Sequence, residues 1–90
     1  MPFLPNMQRL IDENRLSEAV EALNSFISEN PQSDEAYFLR GRVFWRLQDR
    51  GRAVSDYERA VAINPDSPAR HALNIARDVF DFYNPDLLNP

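Results

Sequence analysis

The stretch Ala36-Tyr37-Phe38-Leu39-Arg40-Gly41-Arg42-Val43-Phe44-Trp45, followed by Ala53, Tyr57, Ala60 and Pro65, decides the fold. Ala36, Val43, Phe44 and Leu47 recur at i, i+7, i+8 and i+11, and Ala53, Val54, Tyr57, Ala60 and Val61 at i, i+1, i+4, i+7 and i+8. Side chains at those steps share one face of an α-helix, so the spacing predicts two amphipathic helices. Between them Gln48-Asp49-Arg50-Gly51 supplies a helix-capping acid and a turn glycine, while Pro65 restricts Asn64 and ends the second helix.

The scheme recurs along the chain. A displacement of 34 residues aligns Ala19 with Ala53, Val20 with Val54, Asn30 with Asn64, Pro31 with Pro65 and Ser33 with Ser67. It also sets Phe3 opposite Tyr37, Leu10 opposite Phe44, Leu23 opposite Tyr57 and Ile27 opposite Val61. A fixed period of this length marks stacked supersecondary units. With two glycines and scattered β-branched residues, the units read as helical. The first unit predicts a short helix around Met7 to Glu13, a turn at Asn14-Arg15 and a helix from about Ser17 to Asn30, stopped by Pro31. A fifth helix starts with Ser67 as cap and Pro68 in its first turn and runs to about Tyr83. The expected fold is all-α, five helices in one domain over residues 1–90: a first unit at about 3–32, a second at about 33–66, a capping helix at about 67–83 and an extended tail at 84–90.

The middle unit resembles the tetratricopeptide repeat. In that family an aromatic opens the first helix, a glycine sits where two helices approach closely, and two alanines flank an aromatic on the second helix before a closing proline. Tyr37, Gly41, Ala53, Tyr57, Ala60 and Pro65 stand at those places. The first unit is similar but departs: Met7 replaces the glycine, Pro5 lies inside the first helix and Phe26 replaces the second small residue. The resemblance implies a right-handed stack of antiparallel helix pairs. The asparagine- and proline-rich ending after Phe82-Tyr83 also resembles that of small stand-alone bacterial members.

The fifth helix breaks the period. Strict continuation would turn His71, Asn74 and Asp78 inward, whereas Ala69, Ala72, Leu73, Ile75, Ala76, Val79, Phe80, Phe82 and Tyr83 share half of the helical wheel. The helix is therefore expected to rotate about its axis and close the stack, since an uncapped repeat array leaves apolar surface in water. Leu87 and Leu88 of the tail are expected to cover the remaining apolar arc or to dock on a neighbouring copy.

Composition narrows the function. The 90-residue chain has no cysteine, which excludes a disulfide framework, a thiolate metal site and a cysteine nucleophile, and fits a reducing, cytoplasmic setting. No apolar run approaches the ~18 residues of a membrane span. His71 is the one histidine and Gly41 and Gly51 the two glycines, so neither a histidine metal site nor a glycine-rich phosphate loop can be assembled. Paired acids such as Asp12-Glu13 and Asp34-Glu35 read as helix-surface charges. These observations point away from catalysis and from any cofactor.

Binding is the remaining class. On the wheel, Phe38, Arg42, Trp45 and Arg46, with Glu35, face away from the core side of the middle unit's first helix. Exposed rings offer contact area and guanidinium groups pair with carboxylates, so these four are the candidate peptide-binding residues. The resemblance implies that first helices line a concave groove for a partner's segment. The competing reading has Phe38 and Trp45 completing a small core. Co-chaperone members grip a terminal carboxylate with cations at sites that here fall on Leu4, Gln8, Phe38, Arg42, Ala72 and Ala76, leaving a single cation. Arg40 projects to the packed side instead, where Asp56 is its expected ion-pair partner.

The residues also bear on two other partners. All ten cations are arginine, and residues 37–64 hold six of them against three acids. Aromatics lie among them, a mixture that can bind single-stranded nucleic acid, but the overall charge of −4 opposes it. A homodimer through the first unit or the tail would add buried area to a short stack. The sequence therefore predicts a non-enzymatic module for a protein or peptide partner, with self-assembly as the alternative.

Overall fold

The computed structural model describes the backbone of residues 3–83 and the side chains of residues 6–79. Five helices make up the described residues: α1 (Phe3–Asp12), α2 (Leu16–Glu29), α3 (Asp34–Arg46), α4 (Arg50–Ile63) and α5 (Ala69–Tyr83). Successive helices pack on one another, and α1 also touches α3. The core runs through the stack, with Ile11, Leu23 and Val43 the largest side chains sealed inside it.

The α1–α2 and α3–α4 turns are built alike. At the first, Asn14 takes a left-handed conformation (φ 62°), and at the second Gln48 does so (φ 65°). Asn14 N–H donates to the Ile11 carbonyl and Arg15 N–H to that of Leu10; Gln48 N–H donates to Trp45 and Asp49 N–H to Phe44. Each pair of bonds closes a Schellman turn and satisfies carbonyls that the ending helix leaves free. The expected turn glycine, Gly51, has no such role. It lies within α4, one residue after Arg50, and its φ is not positive. Gln48 bears the left-handed turn instead, at a cost of roughly 1 kcal/mol for a residue with a Cβ. Asp49 then starts α4, its carboxylate accepting from Arg52 N–H at 3.3 Å.

Two further boundaries differ in detail. α1 begins at Phe3 rather than near Met7, which places Pro5 in its first turn. A proline is tolerated there because the missing N–H would have no helical acceptor. α5 begins at Ala69, directly after Pro68, and the buried Ser67 hydroxyl accepts from Ala69 N–H at 3.1 Å. Ser33 caps α3 in turn, accepting from Ala36 N–H.

α5 buries Ala69, Leu73 and Ala76, while His71, Asn74 and Asp78 face water. The 34-residue register is thus abandoned at this helix. Had it persisted, three polar side chains would enter the core without partners, at several kcal/mol in total.

Gly41 marks the tightest approach between α3 and α4. A Cβ built there would lie 2.6 Å from Tyr57 Cε1 and 3.2 Å from the Ala53 carbonyl oxygen, whereas one built on Gly51 meets nothing within 4 Å. The two glycines should therefore respond oppositely to alanine. Gly41→Ala is expected to lower stability by about 1–3 kcal/mol through overpacking. Gly51→Ala is expected to raise it by about 0.5 kcal/mol by restricting the unfolded chain. Urea unfolding of the two variants checks the pair, and equal shifts would contradict it.

Candidate functional site

The outer face of α3 opens into a cavity of about 250 Å³ lined by Phe38, Arg42, Trp45 and Arg46 together with Tyr57 of α4 and Ala72 and Ile75 of α5. The four side chains singled out in the sequence thus meet at one place. Phe38 and Trp45 are half-buried and pack against the core from its edge. Phe38 leans on Tyr57, ring centroids 6.2 Å apart at a tilt of 41°. Both descriptions of these rings therefore hold together: they complete the core on one side and line a cavity on the other.

The arginines are more committed than the wheel suggests. Arg42 Nη1 donates to Gln8 Oε1 at 2.9 Å, and Arg46 Nη1 donates to the Ile11 carbonyl at 2.8 Å, both on α1. Gln8 stands 34 residues before Arg42, at the equivalent repeat position, so stacking brings the two side by side. Arg42 also lies over Phe38 (5.8 Å to the ring centroid), and Arg50 stacks on Trp45 at 4.4 Å. A guanidinium carries five N–H donors, so one bond to α1 orients each group and leaves donors for a ligand. The cavity itself reads as apolar walls with fixed cations at the rim.

Of the further lining residues, Ala72 is one of the sites aligned with the co-chaperone clamp, whereas Tyr57 and Ile75 are not among the groove residues expected from the sequence. Tyr57 looked like pure core, since it stands at the family's aromatic position on the second helix. Ile75 is 48% exposed because the rotation of α5 turns it outward. A larger second cavity, about 470 Å³, lies on the other side of Phe38 and is lined by Gln8, Asp34, Glu35, Phe38, Leu39, Asn64 and Pro68. Of the sites aligned with the co-chaperone clamp, Ala76 is buried and Leu4 lies outside the described side chains. Leu87 and Leu88, assigned to self-docking or dimerisation, also fall outside the described residues, as do the side chains of Phe80, Phe82 and Tyr83.

On the packed side, Arg40 Nε donates to Asp56 Oδ2 at 2.8 Å and Nη2 to Oδ1 at 2.7 Å. Its Nη1 donates to Asn24 Oδ1 at 2.9 Å, so one guanidinium joins α2, α3 and α4. The aliphatic stem and head lie between Tyr37 and Phe44, whose ring centroids are 5.6 and 5.9 Å from the guanidinium carbon. Hydrogen bonding to Asp56 raises the Arg40 pKa above its already high ordinary value, with burial opposing and the carboxylate's charge adding. The forked pair ties α3 to α4 within the second unit, the Asn24 bond ties that unit to the first, and neither contact is part of the α3–α5 cavity.

Burial pushes the Tyr57 phenol above its usual range; the Arg42 charge pulls the other way and the Asp56 charge adds to the rise. Among the described residues no group of histidines and carboxylates could hold a metal ion. No helix among them is long and apolar enough to cross a membrane.

An all-helical stack of antiparallel pairs, drawn close at Gly41 and ended by a rotated fifth helix, is a helical-repeat architecture. The tetratricopeptide repeat model matches residues 8–68, about two thirds of the chain, and the chain belongs to that family. The fold is also that of the Bacteroides fragilis protein BF1650, whose solution NMR structure superposes with a TM-score of 0.89 at 37% identity, covering 99% of this chain and 91% of that one. Tetratricopeptide repeats are non-catalytic and generally mediate protein–protein interaction.

Two predictions follow from these contacts. Asp56→Ala strands the Arg40 charge and should cost about 2–4 kcal/mol. Replacing both, Arg40→Met with Asp56→Leu, should cost less than the sum of the singles, which a urea double-mutant cycle reads directly. For Tyr57, a folded-state pKa raised above the unfolded value of about 10 gives a contribution present in full below pH 10 and lost as pH climbs through the folded value. The chain has no lysine to titrate in that window. Thermal melts above pH 10 should therefore fall less steeply for Tyr57→Phe than for the parent; parallel curves would contradict the burial of the phenol.

Proposed function

We propose that the protein is an interaction module that holds a segment of a partner protein in the open cavity between α3 and α5. The observation that carries this is the convergence of Phe38, Arg42, Trp45 and Arg46 with Tyr57 and Ile75 on one accessible, largely apolar hollow. Half-buried rings on a rigid helix lose little side-chain entropy on binding, and aromatic and arginine residues carry most of the energy at protein interfaces. The volume admits individual side chains of a peptide, being below the roughly 300–1,000 Å³ of cofactor-sized pockets. Membership of a family that generally serves protein interaction supports the same reading.

Alanine at Arg42 or Arg46 would also loosen α1, so these residues make poor first tests. Ile75 lines the cavity and is exposed, which makes Ile75→Glu a cleaner block. In pull-downs from lysate, a partner held by the wild type should be lost from Ile75→Glu and weakened by about 2 kcal/mol or more in Trp45→Ala. The melting temperature of Ile75→Glu should stay close to wild type. Retention of the same partner by a folded Ile75→Glu protein would refute the site.

A further inference from the structure

The charges along α3 are sorted by sign on either side of Phe38. Among the described residues, Arg42 and Arg46 are the only charged ones lining the α3–α5 cavity, and Asp34 and Glu35 the only ones lining the cavity on the other side. Phe38 lines both, so the two hollows adjoin across a single ring. Helix-dipole preference alone favours acids at a helix start and bases at its end. That preference covers Asp34, Glu35 and Arg46 of the terminal turns of α3, but not Arg42, which stands before the last turn.

Resting on the groove reading above, we infer that the occupant is an extended segment of opposite polarity: a carboxylate that meets Arg42 and Arg46, apolar side chains over Phe38 and Trp45, and a cation that meets Glu35. The spacing follows from helix geometry. Glu35 precedes Arg42 by seven residues and Arg46 by eleven, roughly 10 and 16 Å along the axis. At about 3.3 Å per extended residue, the ligand's acid and base stand roughly three to five residues apart. A ligand bearing acids alone would set like charges against Asp34 and Glu35, and one bearing bases alone would do so against the arginines.

Trp45 is the single tryptophan and lines the cation-rimmed cavity, so its emission reports occupancy. The test titrates the whole chain with blocked peptides holding Asp and Lys four positions apart with leucine and phenylalanine between, the same peptide with Lys→Gln, and one with Lys→Glu. The dipolar peptide should bind about threefold to fivefold more tightly than the Gln form at low salt, with the margin shrinking in high salt. Glu35 is exposed and has no hydrogen bond or ion pair among the described residues, so Glu35→Lys should stay folded and lose only the few degrees that a first-turn acid contributes. That variant should prefer the Glu peptide, reversing the order, and Glu35→Gln should abolish the preference.

Equal affinity for the three peptides on the wild type would overturn the polarity while leaving the groove standing. Silence of Trp45 toward all of them would overturn both. A Trp45 response that tracks protein concentration alone and resists the dipolar peptide would make a second copy of the chain the occupant, and would overturn the inference.

Discussion

The close approach of α3 and α4 at Gly41 governs the rest of the structure. Without a Cβ at that position the Tyr57 ring lies across the α3 backbone, and from there it props Phe38 and faces the cavity. The same hairpin brings Arg40 against Asp56 in a two-pronged contact. Core packing, the charged tie across the α3–α4 hairpin and the floor of the candidate site therefore share one steric condition. A methyl group there would push on all three.

Much of this was legible in the residues. The 34-residue offset located the helix pairs, and the same offset explains why Gln8 and Arg42 meet, since equivalent positions of stacked units are neighbours. The rotation of α5 was also readable, because His71, Asn74 and Asp78 are unsuited to the inner face that strict repetition would give them. The left-handed turn residue was not. Glycine is the usual signal for that conformation, and here the glycine sits within α4 while Gln48 bears the strain. The Schellman bonds around it recover part of that cost.

The candidate site was half visible. A wheel shows which side chains share a face but not what they touch, so it groups Phe38, Arg42, Trp45 and Arg46 without showing that the two arginines are tethered to α1. Tyr57 was hidden for a different reason: a residue can be nearly inaccessible and still form a wall. Ile75 could be placed only once the angle of α5 was known. Rings that support the core and line a hollow at once are held rigidly, which supports the proposed capture of a partner's segment there.

The most direct measurement is an NMR titration of the labelled protein with a binding segment from a partner. The account predicts shift changes concentrated on the Trp45 indole, the Ile75 methyls and the Phe38 ring, with Val20 of α2, Leu47 of the α3–α4 turn and Ser55 of α4 unmoved. Perturbations centred on those three residues, with Trp45 and Ile75 silent, would contradict it.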